Sequence, residues 1–455
     1  MQARSVSPRA ADTMHPRGCR PLSADRGEHR STITAHAPMQ ATHFSDTELA
    51  VLRAHGIVLF AGRVIFDAQP AMAADQIAAV QACCHGDIPL PLLELWRVTA
   101  GGSLDYDLTL EMNGNVEAIS WSELFYNGSD GYRDLQGWID HELELAEEAA
   151  EENARTWNGK IGALPFGGFE YCDRIYVVTE PGAHDYGHVL AWKQGLPPAW
   201  RGAMHEDGVA TIAPDLYAAF GALQLHVDPL APGGEPGTGV TLLEYVDERR
   251  DDHGLSASLA DKLIAFYRQA VIDWRTPLAD GTLGAQPVLA RHALRHAIDH
   301  DDAALIARLA PLVANLGVAL AGSSIPTDYA LRRQKFSAAA ALLAAGAPVV
   351  PDALASVSGA IPATLMRMLL DAGVQPDADA MARCVAGGGT DSARLIGAAL
   401  SAHGVDTAAA YRAASEKLLD KLQADIRKVR AGKLSHYLGL DGLEEHAERL
   451  RTFDC

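Results

Sequence analysis

Residues 161–194 constrain the fold more than any other stretch, because they contain the clearest hairpin in the chain. The apolar runs 174–179 and 188–192 are rich in β-branched and aromatic residues, and 181–187 between them has the composition of a turn. The second run has no clearly polar side, which is typical of a strand buried on both faces. The sequence therefore predicts two antiparallel strands in the middle of a sheet.

The residues around this hairpin predict a mixed α+β domain over 46–225. Ser45 or Asp46 can cap a first helix through Leu49 and Leu52, and the Glu48 side chain can complete a capping box. Period-two and helical patterns place the remaining elements. Residues 57–60 form an apolar run, strands are predicted at 63–66, 108–111 and 116–121, and helices are predicted at 73–84, 92–99, 135–157 and 213–225.

A series of short motifs runs through this domain in a fixed order. They are Ile88-Pro89-Leu90-Pro91, Leu95-Trp96, Gly101-Gly102, Leu164-Pro165-Phe166-Gly167-Gly168, Cys172-Asp173, Val189-Leu190-Ala191-Trp192, and Leu216 through Phe220 to Leu223. Their order and spacing resemble those of the SMI1/KNR4, or SUKH, superfamily. The resemblance implies a mixed or antiparallel sheet packed with helices, and an intracellular binding protein rather than an enzyme.

The remainder of the chain predicts a linker and connecting helix over 226–285, all-α repeats over 286–410 and capping helices over 411–455. Three similar segments begin at Leu342, Leu369 and Ala399, and each ends a helix before a glycine that can adopt positive φ. These segments resemble degenerate ankyrin repeats. A generic helical solenoid is the alternative.

Residues 1–45 show no apolar period, so we expect a disordered tail there, and Met39 is a possible alternative start. No run approaches the roughly 18 apolar residues of a membrane span, and no secretory signal is recognisable. The six cysteines form no CxxC pair, and we expect reduced thiols. Cys83-Cys84 is either a redox pair or two small helix residues. A cytoplasmic protein without membrane contact is expected.

Charge is distributed unevenly along the chain. The formal net charge is −20, and residues 101–150 carry 12 acidic side chains and 1 basic one. Such a domain repels nucleic acid and steers a basic protein towards itself. The predicted partner-binding residues are Asp105, Asp107, Glu111, Glu117, Glu142, Glu144 and Glu148, with Trp121, Tyr126, Tyr132 and Trp138 as candidate aromatic anchors. Solubility alone is the alternative explanation of the acidic residues.

Candidate catalytic and metal-binding groups are few. His292, His296 and His300 share a helix face, an arrangement that can hold a metal ion but also suits a structural role. His184 and His188 flank Asp185 without a nucleophile in an elbow motif nearby. No glycine-rich phosphate-binding motif is present. We therefore expect no enzymatic activity, no cofactor and no metal.

The superfamily resemblance and the charge lead to one functional expectation. Bacterial SUKH proteins typically neutralise toxin domains, often nucleases, so the resemblance implies an immunity protein that binds a basic toxin through its acidic surface. The alternative is a housekeeping scaffold or regulatory protein with SMI1/KNR4-like and ankyrin-like interaction domains. The partner, the stoichiometry and the interface are left open.

Overall fold

The computed structural model describes residues 43–112, 115–129, 131–170, 172–193, 208–231, 238–250, 254–357 and 360–454. These residues lie within one compact unit, Gln40–Cys455. They form a mixed α+β structure, as the sequence predicts, with an antiparallel sheet in the first half and helices in the second. Among them, no helix combines the length and apolar composition needed to cross a bilayer.

Three helices and a short ribbon precede the main sheet. They are α1 (Asp46–Ala54), β1 (Val58–Phe60), β2 (Arg63–Ile65), α2 (Ala74–Cys83) and α3 (Leu90–Val98). The Ser45 hydroxyl accepts a hydrogen bond from Glu48 N, and the Glu48 carboxylate accepts one from Ser45 N. This capping box confirms the predicted start of the first helix.

The next segment builds the main sheet. Its elements are β3 (Gly102–Ser103), β4 (Leu108–Met112), β5 (Asn115–Ile119), β6 (Glu123–Leu124), α4 (Leu135–Glu152), β7 (Ala163–Phe169), β8 (Asp173–Val178), β9 (Val189–Lys193), β10 (Val209–Ala213) and α5 (Leu216–Ala222). The six-stranded sheet has the order β10-β9-β8-β7-β6-β3, while β4 and β5 form a separate ribbon. Asn113-Gly114, whose sequence is a strong turn signal, lies outside the described residues.

The predicted hairpin is confirmed as β8 and β9, which pair antiparallel in the interior of the sheet. On one face Ile175 and Val177 join the large core, and on the other Tyr176 and Trp192 form a smaller cluster. α4 packs over the second face, where Glu142 reaches Tyr176. Both faces are covered, which explains why the second strand lacks a polar side.

Two hydrophobic cores organise the chain. The first extends to Ala270 and the second begins at Trp274. The segment predicted as a linker contains α6 (Val240–Asp247) and α7 (Ala257–Tyr267), whose apolar residues belong to the first core. The amphipathic pattern over 259–274 predicts a helix that reaches residue 274, but α7 ends earlier because Val271 is extended and forms a β-bridge with Leu225.

Helices continue through the second core. They are α8 (Arg275–Ala279), α9 (Pro287–Asp299), α10 (Ala303–Leu309), α11 (Pro326–Arg332), α12 (Phe336–Ala344), α13 (Ala363–Asp371), α14 (Ala378–Ala386), α15 (Thr390–Ala402), α16 (Thr407–Arg430) and α17 (Gly439–Thr452). Gly346, Gly373 and Gly404 follow α12, α13 and α15 with φ of 81°, 94° and 78°. The predicted glycine ends are therefore confirmed at all three positions.

Candidate functional site

The helix α4 carries the densest group of acidic side chains among the described residues. Asp134 caps it by accepting a hydrogen bond from Gly137 N, 3.0 Å away. Its buried face includes Trp138, Ile139 and Ala146, which recur at the helical period and pack towards the sheet. The opposite face is therefore directed to solvent.

Six carboxylates occupy that outer face, and we call them the acidic stripe. All six are exposed: Asp140, Glu144, Glu147, Glu148, Glu151 and Glu152. In the described part of the chain, no lysine or arginine lies within 4.0 Å of any of them. The last turn of the helix also contains no basic residue. The negative charge of the stripe is thus not neutralised within the described structure.

Repulsion among the carboxylates of the stripe lowers the stability of α4. Residue pairs four positions apart, such as Glu144 with Glu148, are like-charged neighbours, and each such pair costs roughly 0.2–0.5 kcal/mol. Glu151 and Glu152 lie in the last turn, where the partial negative charge of the helix end disfavours further anions. A helix optimised for stability alone would carry basic residues at these positions.

Glu142 does not belong to this face, in contrast to the sequence-based expectation. Its side chain has no solvent exposure and accepts a hydrogen bond from Tyr176 Oη at 2.7 Å. Its Oε1 lies 3.2 Å from Arg174 Nη1, and the Arg174 guanidinium lies 3.5 Å from the centre of the Trp138 ring. The pKa of the Glu142 carboxyl is raised, because the loss of hydration outweighs the hydrogen bond from Tyr176 and the charge of Arg174, which both lower it. Glu142 therefore attaches α4 to β8.

Asp105 and Asp107 form contacts inside the protein. Asp105 Oδ2 accepts a hydrogen bond from Leu242 N at 3.0 Å, within the first turn of α6. Asp107 accepts hydrogen bonds from His226 N at 2.8 Å and from Thr238 Oγ1 at 2.7 Å. Burial raises the pKa of the Asp105 carboxyl more than its own hydrogen bonds from backbone amides lower it. Both carboxylates stabilise the junction of the ribbon with the following segment, because their oxygens accept its amide and hydroxyl hydrogens.

Glu111 and Glu117 lie on the β4–β5 ribbon rather than on α4. Glu117 is half-buried and forms an ion pair with Lys193 Nζ at 3.0 Å. Glu111 is exposed. Of the seven predicted residues, the structure therefore brings only Glu144 and Glu148 together on one exposed face.

The candidate aromatic anchors separate by exposure. Trp121 and Trp138 are buried, at 1% and 5% exposure, and both belong to the first core. Tyr126 is half-buried. Tyr132 is 44% exposed, just before the start of α4. Of these four aromatic residues, only Tyr132 is exposed.

The histidines of α9 make structural contacts. The rings of His296 and His300 lie 4.1 Å apart, and His292 packs against His226 at 5.0 Å. Burial is the main cause that lowers the pKa of His292 to about 3 and that of His296 to about 4. No group of three potential metal ligands occurs within the described ranges. His184 is 94% exposed and lies 3.9 Å from Asp185.

The predicted partner-binding residues include only Glu144 and Glu148 of the stripe, although the sequence carries the signal for the others. Asp140, Glu147 and Glu151 lie at helical spacing from Glu144, opposite the apolar residues of α4. Plotting the helix at 3.6 residues per turn would have included them and excluded Glu142. Arg174 was also missed, although a charged residue at an alternate position of a buried strand requires a buried partner.

Comparisons with protein-family models, curated proteins and solved structures find no match for this chain.

Proposed function

We propose that this protein is a non-catalytic protein-binding module that binds a basic protein partner through the acidic stripe of α4. The proposal rests on one observation: the negative charge of the stripe is not paired with positive charge. The six exposed carboxylates on one face of α4 have no basic neighbour within ion-pair distance in the described structure. A cationic surface would supply the missing counter-charges. It would also relieve the repulsion within the helix.

The partner that fits this surface best is a toxin domain that binds nucleic acid. Asp140 and Glu152 are separated by about 18 Å along the helix axis, at 1.5 Å per residue. A line of negative charge of this length resembles a nucleic-acid backbone in its sign and its linear form. The proposed role is thus to occupy the basic surface of a toxin as a mimic of its substrate.

The motif order of residues 46–225 supports the same role. Its resemblance to the SMI1/KNR4 superfamily makes an immunity protein of a bacterial toxin system the preferred biological setting. The ankyrin-like helices would add a second contact surface. A scaffold or regulatory protein is the second candidate, favoured by the extent of the helical half from α8 to α17.

A charge-matched pair of variants tests the proposal. The stripe variant carries Glu144→Gln, Glu147→Gln, Glu148→Gln and Glu151→Gln. The control variant changes the same number of exposed carboxylates elsewhere, at Glu244, Asp371, Glu416 and Asp420. Each protein is co-expressed with the toxin encoded beside its gene, and survival and complex affinity are measured at low and high salt.

The stripe variant should lose affinity by tenfold or more at low salt, and the difference from the wild type should shrink as salt rises. The control variant should protect as well as the wild type. Equal binding by the wild type and both variants would disprove a role for the stripe. Equal weakening of both variants would attribute binding to net charge alone.

A further inference from the structure

We propose that the C-terminal end of α16 is a docking surface for the acidic stripe of a second copy of this chain, so that the protein associates with itself. The inference rests on the proposed use of the stripe in protein binding. Residues 421–433 carry 5 basic side chains and 1 acidic one, although acidic residues outnumber basic ones in the whole chain, 58 to 38. We call the five basic side chains the basic end. All five are exposed: Lys421, Arg427, Lys428, Arg430 and Lys433.

Three cations of the basic end have no acidic partner. In the described part of the chain, no carboxylate lies within 4.0 Å of Lys421, Arg427 or Lys433. An exposed cation without a counter-charge can pair with a carboxylate of another molecule without breaking an existing ion pair. These three side chains are therefore the free capacity of the surface.

The carboxylates nearest to the basic end are already paired. Asp425 lies 3.6 Å from Lys428, and Glu444 of α17 forms an ion pair with Arg430. Glu448 pairs with a residue of its own helix, 3.3 Å away. Each of these acidic side chains offsets one base, so the three unpaired cations remain as an excess of positive charge.

Helix stability accounts for only part of this cluster. Cations in the last turn offset the partial negative charge at the C-terminus of a helix, and Arg427, Lys428 and Arg430 occupy that turn. Lys433 lies beyond the end of α16, and Lys421 lies more than two turns before it. Because the effect is confined to the last turn, it does not explain these two lysines.

The loop that follows α16 adds an aromatic side chain. Tyr437 is 87% exposed, the highest value among the large apolar and aromatic side chains of the described ranges. Its ring stacks on the ring of His436, with the two centres 4.6 Å apart. Tyrosine and arginine are enriched among the residues that dominate binding energy at protein interfaces. The loop therefore supplies an anchor four residues after Lys433.

The acidic stripe has the charge and the length that the basic end requires. The stripe extends over about 18 Å, and Lys421 and Arg430 are separated by about 14 Å along the helix axis, at 1.5 Å per residue. Within the described part of one molecule, no ion pair joins the two surfaces. A second copy is therefore needed to bring them together. Because the two surfaces differ, the contact is heterologous and can continue beyond two molecules.

Net charge limits the strength of this association. Two copies with a net charge of −20 repel each other at long range. At 0.15 M salt the Debye length is about 8 Å, so this repulsion is largely screened while ion pairs in contact persist. Three unpaired cations can neutralise only half of the six carboxylates of the stripe. A toxin with more bases would therefore displace the second copy.

Sedimentation velocity of the full chain tests the inference. Since exposed ion pairs are weak, protein concentrations up to about 500 µM are used, in 0.15 M and 0.6 M salt. The basic-end variant carries Lys421→Gln, Arg427→Gln and Lys433→Gln. The control variant removes three exposed cations elsewhere that also lack an ion pair in the described structure, with Arg97→Gln, Arg308→Gln and Arg367→Gln. Both variants are three charges more negative than the wild type.

The wild type should sediment faster as its concentration rises in 0.15 M salt, and this dependence should weaken in 0.6 M salt. The basic-end variant should associate at least tenfold more weakly, and the control should associate like the wild type. The stripe variant should also remain a monomer by itself. A 1:1 mixture of the basic-end and stripe variants should form a dimer, because each retains the surface that the other lacks.

Three results would overturn the inference. The first is a wild type that stays monomeric in 0.15 M salt at the highest concentration. The second is equal association of the basic-end variant and its control. The third is a mixture of the basic-end and stripe variants that stays monomeric.

Toxin binding separates this inference from the proposed function. The basic-end variant keeps the stripe, so it should bind the toxin at least as tightly as the wild type. If it does so and the wild type never self-associates, only the inference fails. If the wild type self-associates as described but binds the toxin no better than the stripe variant does, only the proposed function fails.

Discussion

Glu142 and Glu144 are two residues apart on α4, yet the first is completely buried and the second is exposed. The inner carboxylate has Arg174 and Tyr176 as partners. The outer one has no basic neighbour in the described structure. The comparison teaches that glutamate has two effects on one helix. A carboxylate that is paired inside the protein attaches the helix to the sheet, whereas an unpaired carboxylate at the surface keeps its negative charge available to another molecule.

The largest test of this comparison removes the inner carboxylate. Glu142→Ala leaves Arg174, which is 2% exposed, without its counter-charge. The free energy of unfolding should fall by about 3 kcal/mol or more, because a buried unpaired charge is costly. Urea unfolding measures the change.

The matched control is Glu144→Ala on the outer face, which should change stability by no more than about 0.5 kcal/mol. Replacing both inner partners, as in Glu142→Leu with Arg174→Met, should recover much of the loss. Equal effects of Glu142→Ala and Glu144→Ala would show that the two faces do not differ as described.

A second test concerns His292, a largely buried base without an acidic partner, whose protonation should destabilise the folded protein. Burial lowers the pKa of His292 from 6.5 to about 3. The folded protein therefore binds fewer protons than the unfolded chain, and stability should fall as the pH drops below about 6.5 towards 3. At pH 5 the loss due to His292 should be about 2 kcal/mol.

Unfolding of the wild type and of His292→Gln at pH 7.5 and pH 5 measures this contribution. The variant should lose less stability on acidification than the wild type, and His184→Gln, at a 94% exposed position, should behave like the wild type. Parallel losses in all three proteins would place the acid sensitivity elsewhere.

The smallest expected effect concerns the outer face. The four-residue stripe variant should be more stable than the wild type by about 1 kcal/mol at low salt, since it removes like-charge pairs along the helix. The gain should largely disappear at high salt. A stripe variant less stable than the wild type at low salt would contradict the absence of compensating contacts.

Local features of the fold were predictable because their causes lie within a few residues. The capping box at Ser45 depends on two side chains three positions apart, and the ends of α12 and α13 depend on a following glycine. The hairpin of β8 and β9 was visible in composition alone. The division of α4 into a buried and an exposed face was also readable in principle, but a count of glutamates that ignores the helical period assigns Glu142 to the exposed face.

The sequence by itself determined the central hairpin, several helices and the sign of the charge, because propensity, capping and composition act over short distances. Only the tertiary structure decided which carboxylates are internal. Asp105 meets the first turn of α6 across 137 positions, and Glu142 meets Arg174 across 32. Such partners come together through packing of distant segments, and no local pattern specifies them. The same packing brings residues of the β4–β5 ribbon and of α9 together around one cavity.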